Sequence, residues 1–257
     1  MNDLKGSGML AFAVPVVAAL LLGGCGLWRT VKVPIDVSIQ KSACTADADT
    51  LLVMLPGVYS HPDEFVEEGF LDAVAERKLA VDVALVDAHI GYYNDKTIFE
   101  RLRSDVIAPA GARGYRSIWI VGISIGGFGA LTYPEIHPNE LAGIVALAPY
   151  LGERLISTEI ANAGGLKRWR APAGVVPMEQ RLWRRLQRYG TEAVGPDLPP
   201  VYLGYGLDDR FAFSHKLLSD LMPNGRVFTT DGGHDWPEWR RLWRSMIPSL
   251  PLPTCAR

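Results

Sequence analysis

Two kinds of hydrophobic pattern run along the chain. From Val31 to Gln40 the positions alternate, with Val31, Val33, Ile35, Val37 and Ile39 on one side and Lys32, Pro34, Asp36, Ser38 and Gln40 on the other. A period of two marks a strand with one buried face, and Pro34, which has no N–H to donate, places that strand at a sheet edge. Six later runs are short and mostly apolar without alternation: residues 51–55, 81–86, 118–123, 144–147, 201–205 and 226–229. Strands covered on both faces read this way, as in a parallel sheet. Segments of helical length lie between them, at 62–78, 97–113, 126–137, 211–221 and 236–246. The alternation predicts one doubly wound α/β domain, with a mostly parallel central sheet and helices on both faces.

One stretch breaks the rhythm. From Tyr150 to Pro200 no convincing strand occurs, and Gly164, Gly165, Pro172, Pro177 and Pro196 interrupt it. We read residues 150–197 as a mostly helical insertion capping the top edge of the sheet, with the core formed by residues 48–149 and 198–257. Between Tyr150 and Gly190, Lys and Arg outnumber Asp and Glu by eight to three. Such a surface suits an anionic substrate or lipid headgroups, or is a solvated helix face. Trp169, Trp183, Trp236 and Trp239 are read either as the lining of an acyl or aryl pocket or as core.

Composition narrows the classes. The chain has 257 residues, 48% hydrophobic and 21% charged, with a formal net charge of -2. That is enough to bury a large core and excludes wholesale disorder. No global positive field exists to hold a polyanion, so no nucleic-acid partner is expected. Three Cys exclude a disulfide-dense miniprotein.

Residues 9–22 form an unbroken apolar stretch. Fourteen residues are too few to span a bilayer core, which needs about 20, but they suit the apolar region of a secretory signal. Leu22-Gly23-Gly24-Cys25 follows and resembles the lipobox of bacterial lipoproteins. That resemblance implies cleavage of residues 1–24, lipidation of Cys25, and a lipid-anchored protein of the cell envelope, with residues 25–47 as tether and edge strand. The alternative is an ordinary signal peptide or signal anchor with an incidental Cys. With Cys25 lipidated, Cys44 and Cys255 remain as an even pair in an oxidising compartment, and a bridge between them would staple both ends of the domain.

The strongest chemical signal is Gly122-Ile123-Ser124-Ile125-Gly126, between a buried run and a helical segment. Ser124 in a tight strand-to-helix turn is presented at the sheet edge, and neighbouring chains approach so closely that positions two before and two after accept only small residues. The phosphate-binding readings fail, because the glycine spacing is not GxGxxG and no P-loop Lys follows. A base for the serine is offered by His234, in the loop Asp231-Gly232-Gly233-His234-Asp235-Trp236 after the last strand. His215 falls within a helical segment, where packing or exposure is its default. Asp208 and Asp209 both follow the run 201–205 and are both candidate acids, Asp208 also being a candidate helix cap. His61, Asp63 and His89 flank the same edge with irregular spacing, so no metal site is expected.

These motifs, matched in order from about Ala48 to Pro248, resemble those of the α/β-hydrolase superfamily, and the Gly-Gly-His-x-Trp ending resembles its bacterial esterases. The resemblance implies an α/β-hydrolase fold with a helical cap insertion and the chain order nucleophile, acid, base. It assigns Ser124 as nucleophile, His234 as base and Asp209, three residues after Gly206, as acid, with Asp208 in reserve. It also implies oxyanion donors at the N–H groups of Ile125 and of Val58, in the loop Leu55-Pro56-Gly57-Val58, where the superfamily's His-Gly motif is replaced. The expected activity is cofactor-free hydrolysis of a small-molecule carboxylic ester or thioester through an acyl-enzyme. The alternatives are a membrane-tethered binding protein that kept the scaffold without turnover, or a peptidase or lipase of the same fold.

Overall fold

A computed structural model describes residues 29–44 and 47–255; the signal segment and Cys25 lie outside the described residues. Seven strands form one sheet in the order β1-β3-β2-β4-β5-β6-β7. They are β1 (Val37–Gln40), β2 (Thr50–Leu55), β3 (Val81–Val86), β4 (Ser117–Ile123), β5 (Gly143–Leu147), β6 (Val201–Gly206) and β7 (Val227–Thr230). β1 runs antiparallel to β3, and every other pairing is parallel.

Both faces of the inner strands are buried, as their continuous hydrophobicity requires. In β2, Leu51, Val53 and Leu55 enter one core while Leu52 and Met54 enter the other. The first core is covered by the helices Ile125–Ile136, Arg154–Asn162, Met178–Arg188 and Ala212–Ser219 together with residues 98–112, the second by Phe70–Glu76 and Trp236–Met246. The insertion between β5 and β6 contains no strand. Its Trp169, Leu182, Trp183 and Leu186 are buried in the first core, so its helices pack into the same layer as the rest of that face.

Several local expectations change. The alternating run at the N-terminus is at the sheet edge, but only Val37–Gln40 pairs as a strand. Upstream, the Tyr92 hydroxyl takes up the N–H and C=O of Lys32, and the Asp105 carboxylate accepts the N–H of Ile35. With those groups committed and none available on Pro34, no ladder forms there. The expected helix at 62–78 is two short helices, Glu64–Glu67 and Phe70–Glu76, separated by Gly69 at φ 72°. The expected helix at 97–113 is continuous but takes π-helical geometry over Leu102–Ile107.

The chain ends are joined. Cys44 and Cys255 form a disulfide with Cα atoms 5.4 Å apart and a sequence separation of 211. The C-terminal segment also bonds to the start of β3, through Ala80 N–H to Pro253 O and Cys255 N–H to Lys78 O.

Candidate active site

The turn after β4 holds Ser124 at φ 53°, ψ -112°, a conformation that costs a non-glycine residue on the order of 1–3 kcal/mol. Three backbone bonds hold it there: Ser124 N–H donates to Leu147 O, and the Ser124 carbonyl accepts from Phe128 N–H and Tyr150 N–H. The flanking glycines are required by contact. A Cβ on Gly122 would stand 2.2 Å from Gly126 O, and one on Gly126 would stand 2.3 Å from Leu55 O. The pattern therefore records how closely β4, β2 and the following helix converge.

Three elements meet at this turn. His234, from the loop after β7, places Nε2 2.9 Å from Ser124 Oγ and Nδ1 2.7 Å from Asp209 Oδ2. A carboxylate only accepts, so Nδ1 carries the proton and Nε2 is free to accept from the serine hydroxyl. The ring is clamped edge-on between Phe211 and Trp239, at centroid distances of 5.1 and 5.2 Å. Asp209 Oδ1 accepts from Phe211 N–H at 2.7 Å. Burial by itself would raise the Asp209 carboxyl, but the His234 bond, the Phe211 N–H and the nearby imidazoles outweigh it and hold the carboxyl below its ordinary value. Asp208 points to solvent, and it is Asp209 that caps the next segment.

Gly57 brings the loop after β2 against the serine; a Cβ there would stand 3.7 Å from Ser124 Cβ. Val58, Ser124 and Ile125 line one cavity of about 1070 Å³. Among the described residues, the N–H groups of Val58 and Ile125 have no hydrogen-bond acceptor within the protein. The wall is largely apolar, with Ile90, Tyr93, Phe99, Phe128, Tyr150 and Phe211, and it ends near Arg103 and His137. The Tyr93 hydroxyl, buried against Gly129, has no partner among the described residues, and burial pushes its pKa far above the ordinary value.

The tryptophans do not build this cavity. Trp169 and Trp183 are buried in the core, Trp239 backs His234, and Trp236 donates to Glu64 at 2.7 Å. Sequence reading missed the short helix Ile90–Asn94 and the segment 176–179, which supply much of the wall. Its available signal was His89, whose Nδ1 caps that helix by accepting from Gly91 N–H. His61 and Asp63 are exposed, and the described residues contain no group of three side chains placed to hold a metal ion.

Near Asp209 lies His215, fully buried. Its Nε2–H donates to Pro149 O at 2.8 Å and its Nδ1 has no partner among the described residues. Burial pushes its pKa down from 6.5 to about 4. Between those values the unfolded chain binds a proton that the folded protein does not, so stability is full above pH 6.5 and is lost as pH falls toward 4. The expected loss is about 3 kcal/mol at 1.36 kcal/mol per unit. Chemical denaturation at pH 6.5 and pH 4 should show that loss, and His215→Gln, which keeps a donor for Pro149 but does not titrate, should remove it. An equal loss in the variant would assign the acid sensitivity elsewhere.

The sheet order, the single antiparallel edge strand and the serine-bearing turn after β4 make this an α/β-hydrolase fold. Solved structures agree. Est1E from Butyrivibrio proteoclasticus superposes with a TM-score of 0.57 at 14% identity, over 84% of this chain and 94% of that one. The S-formylglutathione hydrolase of Agrobacterium tumefaciens gives 0.56 at 14%, over 83% and 88%. The S-formylglutathione hydrolase FrmB of Staphylococcus aureus gives 0.55 at 14%, over 84% and 90%. At these identities the shared property is the fold. No family model matches the chain, and no curated protein matches it in sequence.

Proposed function

We propose that the protein is a serine hydrolase cleaving carboxylic esters or thioesters through an acyl-enzyme. The observation that carries this reading is the hydrogen-bonded chain from Ser124 through His234 to Asp209, opening on an apolar cavity. Ser124 Oγ attacks the acyl carbon while His234 Nε2 takes its proton, and the carbonyl oxygen, now an anion, is received by the N–H groups of Val58 and Ile125. The tetrahedral adduct collapses, His234 returns the proton to the leaving alcohol or thiol, and the acyl group stays on Ser124. Water then attacks with His234 again as base, releasing the acid and restoring the serine. Asp209 keeps the imidazole in the required tautomer and stabilises its charged form. The structural neighbours include S-formylglutathione hydrolases and Est1E with ferulic acid bound, which supports chemistry of this class.

We propose further that the protein lies outside the cytoplasm, anchored at Cys25 after removal of residues 1–24. Supporting this, the Cys44–Cys255 bridge belongs to an oxidising compartment.

A fluorophosphonate probe and a series of nitrophenyl esters of graded acyl length test the activity together. The expected result is a covalent adduct on the peptide containing Ser124, together with release of nitrophenol. Folded protein that takes up no probe and cleaves no ester would leave the scaffold as a binding protein.

A further inference from the structure

Eight large apolar side chains stand exposed on the described surface, the three most exposed being Val175, Leu155 and Tyr59. Tyr59, Leu155, Val175 and Leu207 are among them. Tyr59 follows Val58 in the loop after β2, and Leu207 directly follows β6. Leu155 lies in the first turn of the helix after β5, and Val175 adjoins the cavity-lining Val176 and Pro177. All four therefore surround the carboxyl edge of the parallel strands, where Ser124 and the cavity mouth open. The start of that helix is tied to the same edge, with Arg154 over the Phe213 ring and Ser157 bonded to Ser214, both just beyond Asp209.

The described chain begins at this edge as well. Arg29 pairs with Asp87, the first residue after β3, and its carbonyl lies 3.1 Å from where a Cβ on Gly91 would stand, beside Ile90 of the cavity wall. Arg29 is four positions from Cys25, with three residues between them. Fully extended, those four positions span about 14 Å at most. A lipid on Cys25 thus holds the carboxyl edge, and not some other face, within that distance of the bilayer.

We propose that the active-site edge faces the membrane, and that the enzyme draws an amphiphilic, membrane-resident ester into its apolar cavity directly from the lipid surface. This rests on the esterase and lipid-anchor readings above. Exposed Glu153 and Asp208 share the edge with Lys96, Arg154 and Arg210, so the rim has no single sign of charge. Docking therefore proceeds by apolar contact, and a zwitterionic bilayer is sufficient.

The test uses the full, lipidated chain in phosphatidylcholine vesicles. A polarity-sensitive fluorophore is attached at Val175→Cys or, on the opposite edge, at Asn139→Cys. Lipid-borne quencher should darken the first label at least tenfold more than the second. An ester embedded in the vesicle and a soluble nitrophenyl ester are then assayed side by side. Inserting twenty Gly/Ser residues between Cys25 and Arg29, combined with Leu155→Asp, should lower hydrolysis of the embedded ester at least tenfold and leave the soluble ester unchanged. Equal quenching at both labels, quenching only in concentration-dependent dimers, or no effect of the insertion on the embedded ester would overturn the proposal. Protein that is never membrane-bound would do the same. Failure of the wild type on both esters, with the edge-specific quenching intact, would instead reject the esterase reading and with it the substrate route, leaving only the orientation.

Discussion

Ser124→Ala is expected to lower kcat/KM for ester hydrolysis by roughly 10⁴- to 10⁶-fold, with little change in melting temperature. The turn is held by backbone bonds that do not involve the hydroxyl, and alanine occupies the same space without meeting Leu55 or Gly126. His234→Ala should lose comparable activity, because the serine proton then has no acceptor. Its stability should also fall, unlike that of the serine variant. Asp209 would keep only the Phe211 N–H while its side chain stays shut off from water, and a buried carboxylate stripped of its partner is costly. The two changes act on one unit, so the double variant should be hardly less active than either single one. Kinetics with a nitrophenyl ester and thermal melts of the three variants decide this. Additive losses, or full activity in any of them, would show that Ser124 and His234 do not act together.

The largest stability effect should come from the disulfide. Cross-linking residues 211 apart removes denatured-chain entropy worth about 5 kcal/mol in the chain-entropy model, an upper figure. Cys44→Ser/Cys255→Ser should cost less, about 2–4 kcal/mol, because Ala80 and Lys78 still hold the C-terminal strand segment by backbone bonds. For a domain of this size that corresponds to a drop of roughly 5–15 °C in melting temperature. The bridge lies at the start of β3, on the edge opposite Ser124, so ester turnover at 25 °C should not change. Reductant should reproduce the drop in the wild type and do nothing further to the double variant. A wild type whose melting is indifferent to reductant would show that the link contributes no stability.

The parallel sheet could be read from the chain because a strand buried on both faces carries few polar positions, and β2 to β6 are apolar almost throughout, the exception within a strand being Asp82 of β3, which is paired with Lys41, Tyr115 and the Ser42 N–H. Ser124 could be read as a candidate for a related reason, since the glycines at 122 and 126 answer close backbone contacts at the turn and with Leu55 of the neighbouring β2. The edge strand was overextended, since alternation does not tell whether neighbouring side chains will claim the backbone of Lys32 and Ile35. The break at Gly69 and the π-helical stretch were likewise invisible to a count of helical length.

Choosing between Asp208 and Asp209 required the folded turn. The Asp209 N–H bonds back to Gly206 O, which turns one carboxylate inward to His234 and leaves its neighbour in water. The cavity was the least readable feature. Tryptophans were its natural candidates by size, yet they fill the core, and the wall is made by residues near 90–103, 176–179 and 211. By itself, then, the sequence determined the layered sheet and the serine turn and offered a candidate base and acid, because periodicity and tight backbone approach restrict which residues can stand at each position. Only the tertiary structure decided which acid pairs, what shape the pocket has and at which edge the N-terminal segment arrives. Those are properties of the space between distant segments, and that space exists only once they have packed.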